Sequence, residues 1–282
     1  MEVFQRIAPL REHLRAQRAE GKSIGFVPTM GYLHEGHMSL IRRAREESDC
    51  LVVSIFVNPT QFGPGEDLDT YPRDLERDLG MCREAGVDVV FAPPAEEMYP
   101  DGPPLTKVSV AKLSEGLCGA YRPVFFTGVA TVVAKLFNIV LPDRAYFGEK
   151  DYQQLLVVRR MVRDLNFPLE IVACPTVREP DGLAMSSRNE YLSPEERKQA
   201  TIISKALFEA RERILAGERS AEAIRNFVRE TIQTMPLANV QYVEVVHPDT
   251  LEPLAEITDG AVVAVAVFFG KARLIDNIVV RL

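Results

Sequence analysis

Two histidines three residues apart, His34 and His37, close the stretch S-I-G-F-V-P-T-M-G-Y-L-H-E-G-H at residues 23–37. Residues 24–27 are a short apolar run that reads as a buried strand. Pro28 removes a backbone donor and is expected to end strand pairing, while Gly31 supplies a turn. From Met38 the spacing becomes helical, with Met38, Ile41 and Ala44 on one face and Arg42, Arg43, Arg45 and Glu46 on others. His34-Glu35-Gly36-His37 therefore falls where a strand hands over to a helix. The first N–H groups of a helix are unpaired and its dipole is positive there, which suits a phosphate. Two imidazoles at that end add hydrogen-bonding groups, and Gly36 lets a flat ring such as a purine approach the backbone.

Three further polar clusters stand at ends of elements. Residues 51–57 form a second apolar strand with the exit loop Asn58-Pro59-Thr60-Gln61-Phe62-Gly63. Polar side chains at the C-terminal end of a strand line the crevice where open α/β sheets bind ligands, and plain turn chemistry explains Asn58 and Gln61 equally well. A short strand at 144–147 leads into Gly148-Glu149-Lys150-Asp151, which opens a helix carrying Gln153 and Gln154. Lys150 could reach a phosphate as a point charge; a solvated helix start capped by Asp151 is the plainer alternative. After a turn at 178–182 comes Leu183-Ala184-Met185-Ser186-Ser187-Arg188-Asn189. Two hydroxyls and an arginine in a small-residue loop make a clamp for phosphate oxygens, with a solvated linker as the alternative.

The elements that must position these groups alternate. Residues 1–22 read as a surface helix, 71–85 as an amphipathic helix, 87–91 as a third strand, 93–104 as a loop, 127–140 as a long apolar helix and 171–177 as a further strand. Mostly apolar strands alternating with helices indicate an α/β, Rossmann-like doubly wound parallel sheet. The rhythm shifts near Val177. Ser193-Pro194-Glu195-Glu196 starts a helix with a serine cap and proline in the first turn. Another helix follows from Ser220, then strands at 240–246, 261–268 and 274–280, which together suggest a smaller α+β domain. The expected division is 1–176 for a nucleotide- and pocket-bearing domain and 177–282 for a C-terminal lid domain.

A chain of 282 residues with 46% hydrophobic and 26% charged residues has the makeup of a globular enzyme. The net charge of −7 argues against broad nucleic-acid binding, so a polyanion site must be a local basic pocket. No apolar run reaches membrane-spanning length and the N-terminus has no signal-peptide core, so a cytoplasmic location is expected. Cys50, Cys82, Cys118 and Cys174 are scattered, which suits a reducing compartment and gives no zinc signature. Gly21-Lys22-Ser23 resembles the tail of a P-loop, but Ala16 replaces the required glycine and the segment precedes its strand. His34-Glu35-Gly36-His37 lacks the spacing of a zinc protease. No protein-held metal is expected; a magnesium ion carried in on nucleotide phosphates needs few protein ligands.

His34-Glu35-Gly36-His37 after a strand resembles the H-x-G-H signature of the nucleotidyltransferase superfamily, and Met185-Ser186-Ser187-Arg188 its second phosphate loop. The wider set P-T-M-G-Y-L-H-E-G-H, F-V-N-P-T-Q-F, Y-F-G-E-K-D-Y-Q-Q and D-G-L-A-M-S-S-R-N-E-Y-L closely resembles the pantothenate synthetase (pantoate–β-alanine ligase) family. The specific motifs cover the N-terminal two-thirds of the chain. The resemblance implies an ATP-dependent ligation in which pantoate is adenylated, releasing pyrophosphate, and β-alanine then displaces AMP. It implies that His34, His37, Lys150 and Arg188 are catalytic, with His37 as proton donor. ATP contacts would come from Met30, Gly31, Tyr32, Leu33, His34, Glu35, Gly36 and His37, from Gly148, Glu149, Lys150 and Asp151, and from Val177, Met185, Ser186, Ser187 and Arg188. Gln61 and Gln154 would hold pantoate, with Gln61 also near β-alanine and Asn58 supporting that pocket. Magnesium accompanies ATP, and the family suggests a homodimer.

One segment departs from the family. After Arg122-Pro123 the usual pattern is a glycine-like position and a histidine before phenylalanine, whereas this chain has Val124-Phe125-Phe126. Two rival classes stand beside the ligase. Another nucleotidyltransferase would share the His34–His37 and Met185–Arg188 features but leave the Asn58–Gln61 and Gly148–Gln154 segments without a role. A non-catalytic nucleotide-binding module would need only one phosphate loop.

Overall fold

The computed structural model describes residues 1–282. In chain order the strands are β1 (Glu2–Phe4), β2 (Ile24–Thr29), β3 (Cys50–Ile55), β4 (Val89–Phe91), β5 (Arg144–Gly148), β6 (Glu170–Cys174), β7 (Ala238–Val246), β8 (Gly260–Phe269) and β9 (Ala272–Arg281). The helices are α1 (Ile7–Ala19), α2 (Glu35–Glu47), α3 (Leu75–Glu84), α4 (Ala95–Met98), α5 (Cys118–Tyr121), α6 (Phe125–Val140), α7 (Tyr152–Asp164), α8 (Pro194–Ala200), α9 (Ile202–Leu215) and α10 (Ala221–Gln233). Two compact units result. One comprises Met1–Ser114, Arg122–Glu149 and Gln154–Pro175; the other comprises Glu115–Tyr121, Lys150–Gln153 and Thr176–Leu282. The two short upstream segments of the second unit are tied by hydrogen bonds that local sequence does not announce. Gln153 accepts from Cys118 N–H at 3.0 Å and donates to Gly116 C=O at 2.8 Å.

The first unit is a six-stranded sheet in the order β1-β4-β3-β2-β5-β6, parallel at every pairing. Successive strands step outward from β2 in both directions, which makes the gap between β2 and β5 the switch point where such sheets bind ligands. Helices cover both faces, as an all-parallel sheet requires. On one face Met38, Ile41 and Ala44 of α2 and Leu79 and Cys82 of α3 pack on Val27, Leu51, Val53 and Val90. On the other, α6 is buried on nearly all sides and sets Phe137 edge-on to Phe26 at 6.4 Å.

Three sequence expectations are corrected. Residues 1–22 are not one helix: Glu2–Phe4 pair in parallel with Val89–Phe91 at the sheet edge before α1 begins. Three residues, two of them exposed, carry no periodicity, so only the pairing partner defines the strand. Pro28 does not end β2, which stays in register with β3 through Thr29 and Ile55. Ile24 C=O accepts from Asp143 on the β5 side, and Thr29 C=O accepts from Phe56 on the β3 side. Pro28 shares the direction of Ile24, and β5 pairs β2 only at Gly25 and Phe26, so the missing donor faces an unpaired edge. The helix expected over 71–85 begins only at Leu75, because Asp74 caps it by accepting from Arg77 N–H.

The second unit is a three-stranded antiparallel sheet, β7-β8-β9. Its apolar face (Val243, Val245, Val263, Val265) is covered by Leu207, Ala210 and Ile214 of α9 and Ile224, Val228 and Ile232 of α10. No helix of the chain is long and apolar enough to cross a membrane.

Candidate active site

His34 is the N-cap of α2 with extended backbone, and its Nδ1 accepts from Gly36 N–H at 3.1 Å. His37 answers from the third helical position, its Nδ1 accepting from His34 N–H at 3.3 Å. The pair forms a capping box built from imidazoles instead of a hydroxyl and a carboxylate. A ring nitrogen that accepts carries no proton, so each neutral imidazole holds its proton on Nε2. The rings lie 4.1 Å apart by centroid. Two Nε2–H donors are thus fixed beside a positive helix end, an arrangement suited to phosphate oxygens.

The turn before α2 is held by a carboxylate that sequence reasoning did not single out. Asp78, in α3, is 1% exposed; its Oδ2 accepts from Tyr32 N–H and its Oδ1 from Leu33 N–H, both at 2.7 Å. Burial pushes its carboxyl up from the ordinary value, opposed by those two N–H groups. The turn needs this support because Gly31 and Tyr32 both have positive φ, +82° and +49°. A Cβ on Gly31 would meet Ile55 Cγ2 at 2.9 Å and Asp78 Oδ2 at 3.0 Å, so the close packing requires glycine. Leu33 turns its side chain fully into the core, and Glu35 pairs with Arg42 on the exposed face of α2. The only sequence signal for Asp78 is an acid inside an otherwise apolar helical stripe.

Gln61 lies in a 3-10 turn, Pro59–Gln61, after β3. Asn58 Nδ2 donates to Gln61 Oε1 at 3.0 Å and to Gly128 C=O at 3.3 Å. Asn58 Oδ1 in turn accepts from Tyr99 O–H at 2.7 Å and Thr60 O–H at 3.0 Å. Burial pushes the Tyr99 phenol up, so it keeps the proton it donates. With its oxygen occupied, Gln61 presents Nε2 to Met30 Sδ at 3.2 Å, which brings two of the predicted site residues together. Gly128 makes this possible: a Cβ there would stand 2.4 Å from Thr60 C=O and 2.6 Å from Gln61 Cα. Nearby, Arg122 forms a two-pronged ion pair with Glu66 at 2.6 and 2.5 Å, and its guanidinium lies 3.8 Å from the Phe125 ring. Phe125, the departure from the family pattern, therefore buttresses the arginine.

Gly148 ends β5 beside open space, and Glu149 begins the 3-10 turn Glu149–Asp151 that leads into α7, where Gln154 is half-buried. In the second unit Lys150 Nζ lies 3.4 Å from Asp151 Oδ1. Val177 C=O accepts from Met185 N–H at 3.0 Å, joining two predicted site residues across a hairpin-like loop. Ser186 Oγ accepts from Arg188 N–H at 3.2 Å, and Ser187 is buried. Asn189 Nδ2 bonds Ala184 C=O, and Arg197 pairs with both Glu179 and Asp181, so the loop is anchored at several points. No group of three His, Cys, Asp or Glu side chains is arranged to hold a metal ion.

A doubly wound parallel sheet with two imidazoles capping the helix after its first central strand, and a separate lysine and Ser-Ser-Arg loop, is the framework of nucleotide-using α/β enzymes. The particular family follows from the whole chain. Residues 2–279 match the model of the pantoate-beta-alanine ligase family, and this chain belongs to it. The pantothenate synthetase of Thermoanaerobacter sp. (strain X514) is 59% identical over 278 residues, covering 99% of this chain and 98% of that one. The pantothenate synthetase of Acetivibrio thermocellus is 58% identical over 281 residues and 100% of both chains. Pantothenate synthetase from Thermus thermophilus superimposes with a TM-score of 0.93 at 54% identity over 99% of each chain. Pantoate-beta-alanine ligase from Francisella tularensis, solved with beta-gamma ATP and beta-alanine, superimposes with a TM-score of 0.81 at 35% identity, over 99% of this chain and 97% of that one.

Proposed function

We propose that this chain condenses pantoate with β-alanine, using ATP and passing through pantoyl adenylate. In the first step a pantoate carboxylate oxygen attacks the α-phosphorus, the bond from that phosphorus to the bridging oxygen breaks, and pyrophosphate leaves. In the second the β-alanine amine attacks the acyl carbon, AMP leaves, and the amine proton passes to solvent. A carboxylate is a poor acyl donor until AMP is its leaving group, so the chemistry is carried by positioning and by charge stabilisation on phosphate oxygens.

The observation that carries this reading is the reciprocal capping of His34 and His37 at the start of α2, which commits both Nδ1 atoms to the backbone, so that each neutral ring carries its proton on Nε2. His34 and His37 take phosphate oxygens, and His37 donates a proton to the departing group. Lys150 and Arg188 neutralise the transferring phosphates, with Ser186 and Ser187 adding hydrogen bonds. Gln61 and Gln154 hold pantoate. A neutral amide suits that task because it binds a hydroxy acid without quenching the attacking carboxylate in an ion pair. Magnesium fits as a nucleotide-borne ion. Such an ion needs only one or two protein carboxylates, and the Asp151 side chain is 45% exposed beside Lys150. Glu149 opens the same 3-10 turn. When bound, magnesium neutralises phosphate charge. The family suggests a homodimer, and the reading places the enzyme in the cytoplasm.

Pantoate-dependent exchange of labelled pyrophosphate into ATP, with magnesium and without β-alanine, tests the adenylate step. Exchange that requires pantoate, followed by release of AMP and pantothenate on adding β-alanine, is the expected result. Absence of exchange despite ATP binding would overturn the reading and turn attention to another acceptor.

A further inference from the structure

We propose that Asp276 and Asn277, adjacent on β9, are positioning residues that hold the Ser-Ser-Arg loop and Lys150 in place for phosphate chemistry. The inference rests on the assignment of Lys150 and Arg188 to the ATP phosphates. Arg178 opens the loop, and its guanidinium meets Asp276 in two parallel bonds, Nη1 to Oδ2 at 2.6 Å and Nη2 to Oδ1 at 2.9 Å. The same Nη1 donates to Gly182 C=O at 3.1 Å, so one arginine spans the turn and ties it to the strand. Asn277, the next residue, donates from Nδ2 to Lys150 C=O at 2.8 Å. Its backbone N–H bonds Asp276 Oδ1 at 2.8 Å, which links the two anchors directly.

The setting makes these contacts informative. Leu274 and Val280 lie in the apolar core and Ile278 packs against it, so the alternation of β9 puts Asp276 on the core face. Asp276 is 4% exposed and Asn277 8% exposed. A buried carboxylate in an apolar stripe is costly unless fully paired, and a hydrophobic residue would serve stability as well or better. Successive strand residues point to opposite faces, so the Asp-Asn step serves two separate segments, 178–182 and 150, from one rigid strand. A strand paired with β8 along its length can hold both in fixed relation.

The test compares Asn277→Ala with wild type and with Lys150→Ala in pantoate-dependent pyrophosphate exchange, recording KM for ATP and for pantoate separately. Displacing a phosphate-binding group by a fraction of an ångström to one ångström costs on the order of tenfold or more. Asn277→Ala is expected to lower kcat/KM for ATP by about tenfold, with KM for pantoate within about twofold of wild type. A general loosening would raise both constants together and would overturn the proposal. Wild-type exchange in Asn277→Ala, with Lys150→Ala impaired, overturns this inference alone. Wild-type exchange in Lys150→Ala overturns the underlying assignment and the inference with it. Should Asn277→Ala fail to fold, Asn277→Ser, which keeps a short donor, carries the same comparison.

Discussion

Replacing Asp78 by asparagine isolates the support beneath the two histidines. The carboxylate accepts from Tyr32 and Leu33 N–H at 2.7 Å each, and an amide can accept from only one of them. The other N–H would face an NH2 group and, in the case of buried Leu33, would have no water to turn to. A hydrogen bond to a charged group contributes about 1.5–3 kcal/mol, and removing a buried charge returns part of that loss. The net cost should be about 1–3 kcal/mol, a fall of roughly 2–10 °C in the midpoint for a domain of this size. Function should fall further than stability. With its support gone, the left-handed turn at Gly31 and Tyr32 relaxes and carries His34 with it. Misplacement of about an ångström costs on the order of a hundredfold. Thermal unfolding monitored by circular dichroism gives the first quantity, and pantoate-dependent pyrophosphate exchange at a temperature well below the midpoint gives the second. An Asp78→Asn enzyme with an unchanged midpoint and unchanged exchange would refute the argument.

Other perturbations address separate contacts. Gly128→Ala puts a Cβ 2.4 Å from Thr60 C=O, so α6 and the 3-10 turn must part; we expect about 1–3 kcal/mol of destabilisation and a KM for pantoate raised more than that for ATP, measured by initial rates. Phe125→His exchanges the ring beneath Arg122, and should alter KM for pantoate more than KM for ATP; equal, negligible changes would discard the idea that this residue serves the acid pocket. Arg197 holds the Asp181 carboxyl below its ordinary value of 3.8, chiefly through their hydrogen bond. The folded value being lower, this contribution is present above the unfolded value and is lost as pH falls through the folded one. The pair is partly exposed and contributes at most about 1 kcal/mol. The midpoint difference between wild type and Arg197→Ala should therefore shrink in acid below that range, and a difference constant with pH would contradict it.

The chain's own pattern was enough for the fold class. Apolar runs at 24–27, 51–57, 87–91, 144–147 and 171–177 could only be buried on both faces, and helices of opposite character between them leave a parallel sheet as the arrangement that buries them. The Ser193 cap was equally legible, because a serine, a proline and two acids act within one helical turn. His34 and His37 could be placed at a helix start for the same local reason. Three residues at the edge strand β1 carried no such pattern, and the tolerance of Pro28 depended on which neighbour its missing donor faced.

What only the tertiary structure decided is how the reactive groups are aimed. Asp78 reaches the turn from 45 residues away in sequence, Asn58 is locked by Tyr99 and Gly128 from two other elements, and Asn277 meets Lys150 across 127 residues. Residue types and short spacings report chemistry that acts within a few bonds of the chain. Orientation depends on hydrogen bonds between distant segments, whose partners are chosen only when the packed elements bring them within about 3 Å.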